Sequence, residues 1–133
     1  MNCNNTVQFI FYDNDPELDL KRKEQLAQTL LGQLRQRRDV EKAERAESST
    51  TTHGSKSGII TLPGVLKTEI NAKNIKTFLG FLGDRLRGKS ITITVKVQDQ
   101  EVTIIANSSQ EVMELEKISQ RLLNSLQGNK EDV

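Results

Sequence analysis

The sequence has few of the residues that characterise disulfide-rich proteins, membrane-spanning proteins and proteins with an aromatic core. A single cysteine, Cys3, excludes an internal disulfide framework and a cysteine-rich zinc site, and it fits a reducing compartment. Tryptophan is absent, so a core must be built mainly on Leu, Ile and Val. No run reaches the roughly 20 apolar residues of a membrane helix, and the first residues lack the plan of a signal peptide. We therefore expect a cytoplasmic protein with no membrane partner.

Length and charge narrow the class further. A chain of 133 residues is the usual size of one domain, which we place at residues 1–128, with a disordered tail at 129–133. Nineteen basic and eighteen acidic residues give a net charge of +1, so the composition does not favour a nucleic-acid partner. Residues 67–96 nevertheless carry an excess of positive charge and residues 97–133 an excess of negative charge. This layout suits head-to-tail self-association or a charged partner, although two solvated faces would have the same pattern.

The first third of the chain predicts a strand followed by a helix. In residues 6–12 (TVQFIFY), the odd-numbered and the even-numbered positions are both largely apolar. Since these positions face opposite sides of a strand, the pattern predicts a central strand covered on both faces. Asp15 and Pro16 suit the start of a helix, which we end near Arg37. Its apolar stripe contains Leu26, Ala27, Leu30, Leu31 and Leu34. Residues 38–47 are rich in charge and fit either a solvated helix or an exposed edge strand.

The middle of the chain predicts a loop, a short strand and a second helix. Residues 48–58 are small and polar, which predicts a mobile loop, and Pro63-Gly64 limits residues 59–66 to a short edge strand. A helix from Asn71 to Gly88 has its apolar stripe at Ile75, Phe78, Leu79, Leu82 and Leu86. Gly80 and Gly83 weaken this helix, and close packing against another backbone would explain both.

The last third predicts a hairpin and a third helix. Apolar residues alternate with polar ones over 91–98 and 102–107, and a two-residue turn at Asp99-Gln100 would pair residue 97 with 102, 95 with 104 and 93 with 106. Ser108 and Glu111 form a capping box that opens a helix ending at Gly128. The expected fold is α+β, with a mixed sheet of three to four strands and helices packed on it, in the order β-α-(β)-loop-α-β-β-α.

Residues 83–90 (GDRLRGKS) satisfy the P-loop pattern G-x-x-x-x-G-K-[ST]. A P-loop needs a strand that leads through the glycine loop into a helix N-terminus, because that arrangement directs N–H groups at the phosphate. Here a helix leads into a strand, so we do not expect a phosphate site. Nucleotide binding through this segment remains an alternative function, as does a small nucleic-acid-binding protein that uses the basic second helix.

No set of residues predicts catalysis. His53 is the single histidine and lies in the Ser/Thr loop without a neighbouring acid, and Cys3 has no histidine partner placed by any motif. Asp13 and Asp15 could form a carboxylate pair, but turn and N-cap duties explain both. We therefore expect no catalytic residue, metal site or cofactor, and no enzymatic activity.

A candidate partner surface lies on and after the second helix. Phe81 falls outside the apolar stripe and near Arg85, which is a pairing common at binding hot spots, although the phenylalanine could instead cover the end of the sheet. The surface that we predict comprises Phe81, Arg85, Arg87, Lys89 and Lys56.

Several segments together resemble a known family. They are the loop GSKSG at 54–58, the helix end FLGDRLRG at 81–88, the hairpin ITITVKVQDQEVTI and the closing helix. Residues 54–123 are similar to the effector-associated constant component family of bacterial conflict systems, and the N-terminal segments also fit. The resemblance implies a strand at 39–46. It also implies a small non-enzymatic adaptor or regulatory subunit that accompanies a separately encoded effector, such as a trypsin-like or caspase-like protease.

Overall fold

A computed structural model describes residues 6–15, 17, 19–50 and 58–128. Side chains are described for these residues except 47–63 and 126–128. The tail at 129–133 and residues 51–57 of the predicted loop lie outside the described residues. The elements are β1 Thr6–Asp13, α1 Leu20–Arg35, β2 Lys42–Thr50, β3 Gly58–Asn71, a 3₁₀ turn Ala72–Asn74, α2 Ile75–Arg85, β4 Ile91–Val97, β5 Gln100–Ala106, α3 Ser109–Met113 and α4 Leu115–Gly128.

The five strands form one antiparallel sheet in the order β2-β3-β1-β4-β5. The predicted α+β class is therefore confirmed, with more strands than expected.

The helices cover one face of the sheet, and no described element covers the other, which we call the open face. In β1, Val7, Phe9 and Phe11 are buried in one apolar cluster with residues of all the α-helices. The alternate residues point to the open face, where Tyr12 is 41% exposed and Ile10 lies between Lys67 and Thr94. The prediction that β1 is covered on both faces is therefore wrong. The apolar residues that β1 has on the open face do not continue across the sheet, because the neighbouring strands carry polar residues at the adjacent positions.

The turn before α1 is longer than predicted. The backbone N–H of Asp15 donates to Asp13 Oδ1 at 2.9 Å, and that of Glu17 donates to Asp15 Oδ1 at 2.9 Å. Both aspartates therefore hold a turn, and the N-cap is Asp19, whose carboxylate accepts from the N–H of Arg22 at 2.8 Å. The helix begins at Leu20 because these side-chain hydrogen bonds compete with an earlier helical turn.

The two strands that follow α1 form a long hairpin. Residues 42–47, which the sequence left between helix and strand, belong to β2, and β2 continues to Thr50 while β3 starts at Gly58. Four of the residues predicted to form a mobile loop at 48–58 therefore belong to the two strands instead. The prediction that Pro63-Gly64 confines this region to a short edge strand is wrong, since β3 has 14 residues. The pairing with β2 is irregular there, so a bulge accommodates the proline.

The β4–β5 hairpin has a different register from the predicted one. Val97 pairs with Gln100 across a turn at Gln98 and Asp99, and Val95 pairs with Val102. Gln98 has a φ of 56°, the left-handed backbone that such a turn requires. The predicted register differs by two residues. Both registers keep the apolar residues on one face, so alternation alone does not distinguish them.

The second and third predicted helices are present, with two differences. A Cβ built on Gly83 would lie 3.3 Å from Ser109 Cβ, but one on Gly80 would meet nothing within 4 Å, so the predicted close packing is confirmed for Gly83 alone. Ser108 Oγ accepts from the N–H of Glu111 at 3.2 Å, which confirms the capping box. The helix that it opens is divided at Glu114 into α3 and α4. Among the described residues, no helix is both long and apolar enough to cross a bilayer.

Candidate functional site

A cavity of about 140 Å³ opens between α1, the end of β1, the bulge of β3 and the C-terminal end of α2. We call it the α1 cleft. Its apolar walls include Phe11, Leu30, Leu66 and Ile91, which come from four different elements. A volume near 150 Å³ is enough for a benzene-sized group in other proteins. The cleft is therefore large enough for one apolar side chain or one small ring.

The cleft has an exposed apolar residue at its mouth. Leu26 lines it and is 48% exposed, although the α1 stripe predicted it in the core. Ala27, Leu30, Leu31 and Leu34 of the same stripe are buried as predicted. Leu26 lies at the edge of the stripe, where the buried face of the helix meets its exposed face. An exposed leucine beside a cavity is a surface that another apolar group can cover.

Charged residues surround this apolar cavity. Lys23, Arg85 and Lys89 line the cleft together with a single acid, Asp13, so the basic charges are in excess. Lys89 Nζ lies 3.5 Å from Asp13 Oδ2. Arg85 Nε donates to the neutral Gln33 Oε1 at 2.7 Å, which orients its guanidinium without neutralising it. The cleft therefore combines an apolar interior with a positively charged rim, which attracts an anionic group.

Glu24 of α1 holds the helix against both β2 and β3 through partly buried contacts. Glu24 pairs with Arg45 of β2, and its carboxylate also accepts from the N–H of Gly64 at 3.2 Å. Gly64 has a φ of 76°, and an added Cβ would lie 3.1 Å from Lys23 Cβ. Because the bulge and the helix touch at this point, only glycine fits there without displacement. The contact sets the width of the cleft.

The structure brings two of the five predicted partner-surface residues into the cleft, Arg85 and Lys89. Phe81 is only partly exposed, because the Arg37 guanidinium lies 4.0 Å from its ring centroid. Arg87 is exposed and pairs with Asp84 at 2.8 Å. Lys56 lies outside the described residues. Sequence reasoning did not single out Lys23 and placed Leu26 in the apolar stripe of α1, so it missed both as cleft residues.

The segment 83–90 does not form a phosphate cradle. Gly83 lies inside α2, Gly88 has a φ of 81° after the helix has ended, and Lys89 and Ser90 precede β4. This is the helix-to-strand order that the sequence predicts. The carbonyl end of a helix faces the loop, so the helix directs no N–H groups at a phosphate there.

Among the described residues, no group of three or more His, Cys, Asp or Glu is placed to hold a metal ion. His53 and Cys3 lie outside the described residues, so what the sequence predicts for them stays a prediction.

No family model and no curated protein matches this chain. Among solved structures, one that matches is a phage SAM lyase in complex with S-methyl-5′-thioadenosine. The match has a TM-score of 0.29 and 10% identity, and it covers 76% of this chain and 89% of the other. The matched chain is an enzyme, which contradicts the expectation that this protein has no enzymatic activity, and we withdraw that expectation. At such a TM-score the likeness assigns neither an activity nor a ligand to this chain.

Proposed function

We propose that the chain is a cytoplasmic adaptor or regulatory subunit that binds a separately encoded effector protein of a bacterial conflict system, and that the effector docks at the α1 cleft. The observation that carries the proposal is the exposed Leu26 beside a cavity with a basic rim. The resemblance of residues 54–123 to the effector-associated family supports the class of partner.

The cleft favours a particular kind of segment in that partner. Its volume of about 140 Å³ accepts one apolar side chain, which would cover Leu26. The excess of basic groups at Lys23, Arg85 and Lys89 favours an acidic residue next to that apolar anchor. The occupant is therefore an effector segment with one apolar side chain and an adjacent carboxylate.

The chemistry of the cleft can be tested with two small probes that share a ring and differ in charge. Phenylacetate and 2-phenylethylamine are titrated separately into the labelled protein, and amide shifts are followed by NMR. We expect phenylacetate to shift the amides of Leu26 and Ile91, because both line the cleft. We expect the amine to leave them unchanged. Equal shifts with both probes contradict the role of the basic rim, and no shift with either contradicts binding in the cleft.

The partner is tested by co-expression with the products of the adjacent genes. We expect an effector to co-purify with the wild-type chain and to be lost with Leu26→Asp and with Lys89→Ala. The matched controls are Leu20→Asp, at a leucine that is 65% exposed and outside the cleft, and Lys96→Ala, on the open face of the sheet. Both controls should retain the effector. Loss with all four variants, or with none, contradicts docking at the cleft.

A further inference from the structure

The outer edge of β5 is an unpaired strand edge. β5 is the last strand in the sheet order and pairs with β4 alone among the described strands. Its seven residues pair with β4 without a register shift, so the strand is regular and has no bulge. Such an edge presents a row of free N–H and C=O groups, which are a template for another strand.

The two edges of the sheet differ in their protection. β2, at the opposite edge, contains the charged residues Lys42, Glu44, Arg45 and Glu47. β5 reads QEVTIIA, with Glu101 as its single charge. Charged side chains and bulges are the usual means by which proteins prevent an edge from pairing. β2 carries the charges and pairs with a bulged β3, whereas β5 has one glutamate and a regular ladder.

We propose that two copies of the chain pair through β5, antiparallel about a two-fold axis at Thr103, so that their sheets become continuous. Val97 and Gln100 close a two-residue turn, and hydrogen-bonded pairs alternate along the ladder, so the outward backbone groups belong to Glu101, Thr103 and Ile105. With the axis at Thr103, the middle residue of β5, each Thr103 faces its counterpart and each Glu101 faces Ile105. This register pairs the whole strand.

The side chains of β5 are compatible with this pairing. Val102 and Ile104 point to the helix side and are only partly buried, because no strand of the described part of the chain lies outside them. In the pair, Val102 of one copy faces Ile104 of the other, which is a favourable cross-strand contact. Ile105 is 60% exposed on the open face and becomes covered at its outer side.

Charge does not oppose the pairing. The two Glu101 side chains lie four residues apart along the new ladder, roughly 13 Å at 3.3–3.4 Å per residue. That separation exceeds the Debye length of about 8 Å at physiological ionic strength, so their repulsion is largely screened. The proposed two-fold contact is self-complementary, as an isologous interface must be. It lies away from the α1 cleft, which contains no residue of β5.

The test measures the oligomeric state by sedimentation at about 50 mM and about 500 mM salt, where the Debye length falls from roughly 14 to roughly 4 Å. We expect a dimer at both salt concentrations. A dimer that dissociates at high salt overturns the proposal in favour of head-to-tail pairing of the oppositely charged halves. A monomer at both also overturns it.

Three variants locate the contact. Thr103→Pro removes the outward N–H without removing a hydrogen bond to β4, so the fold should persist and the dimer should weaken at least tenfold. Thr103→Val is the matched control, because it removes the hydroxyl that lies 2.8 Å from Thr94 Oγ1 and keeps the backbone groups; the dimer should remain. Ile105→Glu places a carboxylate directly opposite Glu101 of the other copy and should also give monomer, which keeps the test valid if the proline variant fails to fold. A dimer that persists in Ile105→Glu and Thr103→Pro places the contact elsewhere and overturns the proposal, as does one lost in Thr103→Val.

Discussion

Alanine at Gly83 should leave the protein less stable than alanine at Gly80, although both glycines lie in α2. Gly80 is exposed, and a Cβ there would meet nothing within 4 Å. Gly83 is buried where α2 packs on α3, and its Cβ would lie 3.3 Å from Ser109 Cβ and 3.4 Å from Ser109 Cα. The second of these is a backbone atom, which moves only if α3 moves.

The magnitude follows from two terms. Replacing a glycine in a helix interior by alanine raises the free energy of unfolding by about 1 kcal/mol, because alanine has the higher helix propensity. Both variants gain this term. Inserting a methyl group into a well-packed contact costs about 1–3 kcal/mol, and only Gly83→Ala has this cost. We therefore expect Gly80→Ala to be more stable than the wild type by about 1 kcal/mol and Gly83→Ala to lie about 1–3 kcal/mol below Gly80→Ala.

The assay is urea denaturation followed by circular dichroism. The midpoint urea concentrations of the two variants are compared, and they report stability where the m-value is unchanged. A thermal scan should show the same order, with about 3–5 °C per kcal/mol for a domain of this length. If Gly83→Ala were as stable as Gly80→Ala, the close approach of α2 to α3 would not exist in solution, and the packing argument would be refuted.

Two further substitutions test contacts elsewhere in the fold. Glu24→Ala leaves the half-buried Arg45 without its carboxylate and should cost about 2 kcal/mol in urea denaturation. Glu44→Ala, which removes more exposed surface ion pairs, should cost under about 1 kcal/mol, and equal losses would contradict the special role of Glu24. Ser108→Ala removes the cap on the Glu111 N–H and should cost about 1 kcal/mol, whereas Ser108→Asp should restore most of it.

Local patterns in the sequence were sufficient where a few neighbouring residues decide the outcome. Period-two alternation identified β4 and β5, and the capping box at Ser108 marked the start of α3 correctly. The apolar stripe of α2 identified its buried face, and Gly88 marked its stop. In each case the deciding interaction lies within one element or one turn.

Prediction failed where two alternatives share the same local pattern. A shift of two residues in the β4–β5 register moves no side chain to the other face, so the left-handed backbone of Gln98 decided it. Asp15 and Asp19 both precede apolar residues, and hydrogen bonds within the turn made Asp19 the cap. Pro63 ends a strand where the pairing with the neighbouring strand is regular. Here the β2–β3 pairing is bulged at the proline, so the strand continues past it.

The candidate site depends on contacts that are distant in sequence. Leu26 fits a helix stripe equally well whether it is buried or exposed, because its cover depends on where β3 and the end of α2 lie. Arg85 and Lys89 were predicted as part of a partner surface from their charge and position. The same reasoning could not include Lys23, which lies 62 positions before Arg85 and meets it only across the cleft.

The central position of β1 has a consequence for how the chain folds as it is synthesised. β1 is the first described strand, yet its two neighbours are β3 and β4, and β4 starts at Ile91. A ribosome that adds about 5–20 residues per second therefore reaches the second neighbour roughly 4–16 s after it has made Asp13. During that interval the apolar segment around Phe9 has no complete sheet to join, and it is the part of the nascent chain on which a chaperone would act.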